Sequence, residues 1–253
     1  MSRFFVTPEA VGERDILIDD RDDLKHMTKV LRLKAGDRVE VSDSVCWEYL
    51  CEIEEVSKDF AKLLILDKHS FSAEPETRVT LYQGIPKGSK MESIVQKTVE
   101  LGVDTIKPVF MARTVVADKG TYGKKVERLN RVAAEAVKQC KRGIIPEVTE
   151  PLTAEKMIDE LSDYDLVLFP YENEKGSTIK DVLRDEQAGK VDKTDTAKHV
   201  AIIIGPEGGF SDEEAAAIVN AGGKSVSLGK TTLRTETAGM AALAMVMYEL
   251  ELS

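Results

Sequence analysis

The sequence predicts an α/β protein in which a small β-rich domain over residues 1–72 precedes a larger domain with a parallel sheet over 73–253. Three observations predict it. From Val79 onward short apolar strands alternate with amphipathic helices, the pattern of a parallel sheet flanked by helices. Two runs, YDLVLFP and HVAIIIG, are apolar without interruption, as strands buried on both faces of such a sheet are. Before residue 72 the strands are separated by Asp, Gly, Ser and Lys clusters instead.

In chain order, DILI, DRVEVSD, WEYLCEIEEV and AKLLIL read as the first strands. A helix is expected at DRDDLKHMTKVLRL, with acidic residues at its start and Leu24, Met27, Val30 and Leu31 on one face. The polar SFSAEPETR reads as a linker. VTLYQG is then a strand, KMESIVQKTVELG a helix stopped by Gly102, TIKPVF a strand and GKKVERLNRVAAEAVKQCKR a long helix. Between the two apolar runs, a short helix over 178–185 and a charged loop are expected. Ser211 with Glu214 forms a capping box that starts a helix, Gly222 and Gly223 end it, and KSVSLG follows. The closing helix is apolar or small nearly all round from Ala238 to Val246, so it must be covered on several sides, by its own domain or by a second subunit.

Composition narrows the function. The chain has 253 residues and a net charge of −10, which offers no general attraction to nucleic acid. Charge is uneven, however. From Lys119 to Arg142 the basic residues Lys119, Lys124, Lys125, Arg128, Arg131, Lys138, Lys141 and Arg142 face only Glu127 and Glu135. That stripe is either a solvated helix face or a phosphate-contacting surface. Cys46, Cys51 and Cys140 form no CxxC pair, and His26, His69 and His199 show no ligand spacing. Buried thiols and no metal site are expected. MAALAMVMY is too short to span a bilayer and the first residues lack a secretory apolar stretch, so a cytoplasmic protein is expected.

Two glycine-punctuated loops carry the chemistry, IIIGPEGGFSDEE and LGKTTLRTETAG. Both follow predicted parallel strands, at the carboxyl ends where open α/β sheets bind ligands. Gly205, Gly208 and Gly209 permit positive φ and close backbone approach, while Pro206 stiffens the turn. GPEGGF is not the GxGxxG dinucleotide fingerprint, and GGKSVSLGKTT has one residue too many for a phosphate loop. A nicotinamide oxidoreductase is therefore disfavoured. Arg234 suits neither the helix dipole nor an apolar helix start, so it either pairs with Glu236 or serves a partner or a developing negative charge.

IIIGPEGGFSDEE with LGKTTLRTETAGMAAL resembles the bacterial 16S ribosomal RNA uridine N3-methyltransferases (RsmE-like) of the SPOUT superfamily. The likeness runs through PKGSKMESIVQKTVELGVDTIKPVF, RTVV, EAVKQCKRGIIPEV and HMTKVLRLKAGD, nearly the whole chain. The resemblance implies a PUA-like RNA-binding β-barrel, then a knotted (trefoil) parallel-sheet domain that binds S-adenosylmethionine. It implies a homodimer acting on 16S rRNA in the small ribosomal subunit. It also implies a cofactor cleft from Leu168, Phe169, Gly205, Pro206, Glu207, Gly208, Gly209, Leu228, Gly229, Leu233 and Thr235. Arg234 and Glu236 would be catalytic, and His26, Arg32, Lys87, Lys90, Gln96, Arg113, Gln139 and Arg142 would contact RNA or support the site. Two positions depart from the family pattern: Thr231 stands where Arg is expected, and Lys141 precedes Arg142 where Gly is expected.

A sulfonium methyl is already activated, so such an enzyme has chiefly to align donor and acceptor. Arg234 would stabilise the charge that spreads over uracil oxygens, and Glu236 would orient Arg234 or accept the N3 proton. Methylation of another base or a ribose 2′-hydroxyl, and a non-catalytic RNA-binding role, are the alternatives.

Overall fold

The structure, a computed structural model, describes residues 1–71, 73–116, 120, 122–188 and 199–252, without the side chains of 187 and 188. Lys119 and most of the charged loop expected before His199 lie outside the described residues. The chain divides into two compact units, Met1–Glu74 with Val137–Ile145, and Pro75–Ala136 with Pro146–Ser253.

The first unit is a five-stranded sheet built from β1 (Arg3–Phe5), β2 (Asp15–Ile18), β3 (Arg38–Ser42), β4 (Trp47–Val56) and β5 (Ala61–Ser70), in the order β1-β3-β4-β5-β2. Alternation places Phe4, Ile16, Ile18, Val39, Val41, Cys51, Ile53 and Leu63 in one core. The short β1 pairs parallel to β3 and was not legible, because three residues carry too little alternation to register.

The helix expected after β2 is α1 (Arg21–Lys25), capped by Asp20, whose carboxylate accepts from the amides of Asp22 and Asp23. It continues as a π-helical turn over His26–Val30, with Leu31 N–H donating to His26 O. The wider turn rotates the expected face: Leu24 and Met27 are buried, but Val30 is 64% exposed. Of the three thiols expected to be buried, only Cys51 is fully so, and burial pushes it up to about 12. Cys46 is exposed, on a turn whose amides are gathered by Asp43.

The segment expected as a linker is partly tied down within this unit. Glu74 accepts from the Gly143 and Ile144 amides and from the Arg142 guanidinium. Gly143 is obligatory, since a β-carbon there would lie 2.5 Å from the Phe71 ring. Lys141 adopts φ +63°, which glycine would adopt without cost, and Arg3 donates to the carbonyls of Lys141 and Arg142.

The second unit holds seven strands, β6 (Arg78–Gly84), β7 (Thr105–Phe110), β8 (Glu147–Val148), β9 (Leu152–Thr153), β10 (Leu166–Pro170), β11 (His199–Ile204) and β12 (Lys224–Val226). Their order is β12-β10-β11-β6-β7-β8, with β9 also on β7, and every pairing is parallel. The strand order reverses beside β6, so β11 lies between β6 and β10 and the loops after all three emerge at one end. The helices are α2 (Lys90–Glu100), α3 (Gly123–Cys140), whose last residues belong to the first unit, α4 (Ala154–Asp159), α5 (Ile179–Ala188), α6 (Asp212–Asn220) and α7 (Thr235–Glu251). Both halves of the Ser211–Glu214 capping box are formed. Helix α7 packs on α2, α5, β11 and β6, which is why its Ala242, Leu243 and Val246 are buried. Among the described residues no helix is long and apolar enough to cross a membrane.

Candidate active site

At the carboxyl end of β11 the chain turns through Gly205–Gly209, and the turn is built tightly. A β-carbon on Gly205 would lie 3.1 Å from the Gly209 backbone, and Gly209 has φ +69°. Gly84, ending β6, faces Pro206 so closely that a β-carbon would lie 2.5 Å from its nitrogen. Gly84 leaves no room for a side chain, Gly205 leaves little, and Gly209 takes a backbone conformation that L side chains rarely adopt.

The second loop runs from β12 to Thr235, the first residue of α7, and one hydrogen-bonded chain ties it to the first. The Thr235 hydroxyl donates to Gly205 O at 2.7 Å, and the Gln83 side-chain amide donates to Thr235 Oγ1 at 2.9 Å and to Gly84 O at 3.0 Å. Gln83, Thr235 and the loop backbone thus join β6, β11 and α7 in a buried polar knot of bonds. Gln83 Oε1 is buried with no hydrogen-bond partner among the described residues. Sequence reasoning missed Gln83, although an amide side chain in the largely apolar strand VTLYQG was a usable signal, since buried amides require partners.

Arg234 sits just outside α7 as an exposed N-cap residue, with no side-chain cap bond and no ion pair among the described residues. It does not pair with Glu236. Instead Glu236 Oε2 lies 3.3 Å from the Lys90 ammonium, which also contacts Glu207 Oε1 at 3.0 Å. The Glu207 hydrogen bond, with Glu236 adding to it, holds Lys90 above the ordinary lysine range. Burial pushes Glu207 up, but the Lys90 contact and the amides outweigh it and leave the carboxyl below the usual range. The Lys87 amide also donates to Glu207 Oε1.

The remaining candidates divide. Leu228 and Leu233 are half-buried in the second loop, and Gly229 has φ +120° with nothing within 4 Å of a β-carbon position. Leu168 and Phe169 are wholly buried in β10, so their side chains belong to the core. Lys87, Gln96 and Arg113 are exposed in the second unit, and Arg113 donates to Gly208 O at 2.9 Å. Its loop is stapled to α6 by Glu214, which accepts from the Ala112 amide. His26 is half-buried beside Phe4, while Arg32, at φ +54°, and Gln139 are exposed. Arg142, expected to contact RNA or support the site, is 5% exposed and its guanidinium pairs with Glu74. The basic stripe is also partly neutralised, since Arg128 pairs with Glu92 and Lys138 with Asp23. Glu172 was not singled out from the sequence, yet its carboxylate lies 3.4 Å from a β-carbon position on Gly209.

An open parallel sheet with paired glycine loops at a strand-order reversal defines an α/β ligand-binding enzyme fold. Residues 73–247 match the model of the RNA methyltransferase domain, and 18–66 that of the RNA methyltransferase PUA domain. The chain belongs to the RNA methyltransferase family, with a PUA-like first domain. It is similar to the ribosomal RNA small subunit methyltransferase E of Bacillus subtilis, at 30% identity over 100% of this chain and 98% of that protein. The Buchnera aphidicola (Acyrthosiphon pisum) enzyme of the same name is 30% identical over 88% of this chain and 84% of its own. The crystal structure of the Neisseria gonorrhoeae ribosomal RNA small subunit methyltransferase E, bound to S-adenosyl methionine, superposes with a TM-score of 0.81 at 26% identity, covering 99% of this chain and 98% of that one.

Proposed function

We infer that this protein methylates N3 of a uridine in 16S ribosomal RNA, with S-adenosylmethionine as donor. The observation that carries the reading is the bond chain Gln83–Thr235–Gly205, which draws the two carboxyl-end loops together in a chain of the RNA methyltransferase family. The residues present fit the cofactor. Leu228 and Leu233 offer apolar surface for a purine, the open space at Gly229 admits close backbone approach, and Glu207, Glu236 and Glu172 give the crevice a charge that suits a cation. When bound, the cofactor supplies a methyl group already activated by its sulfonium.

The chain's own residues do the rest. The 205–209 and 227–235 loops would hold the donor beside the target base. Glu236, turned from Arg234 toward Lys90, would accept the N3 proton of the target base. Arg234, exposed beside the amino end of α7, stabilises the negative charge shared by the flanking carbonyl oxygens.

The domain assignment over 1–72 and 73–253 gives RNA binding to the first and methyl transfer to the second. His26, Arg32, Lys87, Lys90, Gln96, Arg113 and Gln139 are the candidate RNA or supporting residues; Leu168 and Phe169 back the cofactor cleft from the core. The chain's return from the edge strand β12 to pack α7 on β11 and β6 supports a trefoil knot in the family's manner. The exposed Met245, Tyr248 and Leu252 of the closing segment support a homodimer, and a small-subunit substrate a cytoplasmic site of action. Nucleoside mass spectrometry of 16S rRNA from cells with and without the gene tests the reading. Loss of a 3-methyluridine is expected; an unchanged nucleoside profile, or loss of a 2′-O-methyl nucleoside, sinks it.

A further inference from the structure

We propose that Glu207 and Lys90 are positioning residues of the methyl-transfer step: through Lys90, Glu207 fixes the direction of the Glu236 carboxylate. The inference rests on the reading that Glu236 faces the target base. Three elements converge on one ammonium. Lys90 opens α2, Glu207 lies in the loop after β11, and Glu236 lies in the first turn of α7. Lys90 Nζ reaches Glu207 Oε1 at 3.0 Å and Glu236 Oε2 at 3.3 Å.

Each end of this bridge is itself fixed. Glu207 Oε1 also accepts from the Lys87 amide at 3.1 Å, so the carboxylate is anchored to backbone as well as to a flexible side chain. Thr235, the neighbour of Glu236, is pinned to Gly205 and Gln83, which leaves Glu236 only its side-chain torsions. Glu236 Oε2 is buried and has no hydrogen bond among the described residues, so the contact with Lys90 is what directs it. An ammonium shared by two carboxylates carries a net negative neighbourhood, and a phosphate would have to displace one of them to bind it. Lys90 is therefore suited to hold Glu236 and poorly suited to contact the RNA backbone. General-base efficiency depends on the base lying within hydrogen-bond reach of the proton it takes, so misdirection of Glu236 lowers the chemical rate more than it lowers binding.

The test measures methylation of small-subunit particles lacking the modification by Lys90→Met, Lys90→Arg, Glu207→Gln, Glu236→Gln and the Lys90→Met/Glu207→Gln double variant. Cofactor affinity by calorimetry, thermal unfolding midpoints and the salt dependence of particle binding accompany each. The expected result is a fall in kcat of about ten- to a hundred-fold in Lys90→Met and Glu207→Gln. KM for the particle should stay within about two-fold of the parent in both variants, and cofactor affinity within about two-fold in Lys90→Met. Lys90→Arg should recover most of the lost rate, and the double variant should be no slower than its slower parent, because both changes break one bridge. A raised KM with a shallower salt slope and unchanged kcat in Lys90→Met would make Lys90 a phosphate contact and overturn the inference. Full kcat in folded Lys90→Met beside an inactive Glu236→Gln overturns it alone, whereas full kcat in Glu236→Gln overturns it together with the proton-acceptor assignment. If Lys90→Met fails to fold, Glu207→Gln and Lys90→Arg carry the same comparison.

Discussion

Arg234 and Arg142 show how little residue type says without surroundings. Arg234 is exposed beside a helix amino end, where a cation gains nothing from the dipole and meets no carboxylate among the described residues, which fits a role toward something outside the chain. Arg142 has the same side chain but is buried against Glu74, where loss of either partner strands a charge. Arg234→Ala is expected to reduce methylation by at least about a hundred-fold while calorimetry finds the S-adenosylmethionine affinity nearly unchanged. Near-normal turnover would remove Arg234 from the catalytic pair. Glu236 was a candidate from the sequence, but its partner was not legible: the sequence allowed a pair with Arg234 two positions away, and the fold offers Lys90 from a distant helix instead.

Short elements position the loops and carry their own dependence on conditions. Glu174 follows β10 and bonds back to β12: the Ser225 hydroxyl donates to it at 2.6 Å, and the Gly176 and Ser177 amides donate to its other oxygen. Ser225 first, then these amides, hold the Glu174 carboxyl down at about 2. A folded-state value below the unfolded one means that the contribution to stability is complete above the ordinary glutamate range and is lost as pH falls toward about 2. Glu174→Gln should therefore unfold at a lower temperature than the parent at neutral pH, with the gap closing between about pH 4 and pH 2. A gap that does not depend on pH would mean that the carboxylate is not what joins β10 to β12. The π-helical turn after α1 is the same kind of local decision: nothing in HMTKV requires it, and it alone turns Val30 outward.

For the molecule as a whole, the proposed association turns on α7. Its inner face is buried on β11, β6, α2 and α5, while Met245, Tyr248 at 59% exposure and Leu252 leave an apolar strip outward. Solitary apolar side chains on a surface need no explanation, but a strip such as Met245 and Tyr248 of α7 with Leu252 just past its end favours a partner. The proposed homodimer predicts that Tyr248→Glu combined with Met245→Glu gives a monomer in sedimentation equilibrium where the parent is a dimer, with far-ultraviolet circular dichroism unchanged. A parent protein that sediments as a monomer would dismiss the dimer.

Alternation of strand and helix, unbroken apolar runs and the capping box at Ser211 are local patterns, and local patterns fix element type and the end of the sheet where the loops gather. The sequence by itself thus determined a parallel α/β domain behind a β-rich one, and the two glycine loops proposed as the site. Only the tertiary structure decided what those loops touch: that Gln83 closes the Thr235–Gly205 bond, that Lys90 stands between Glu207 and Glu236, and that Arg142 is sealed against Glu74. The physical reason is that a hydrogen bond or ion pair between residues far apart in the chain leaves no periodic trace, since each partner is chosen by where the sheet order brings it.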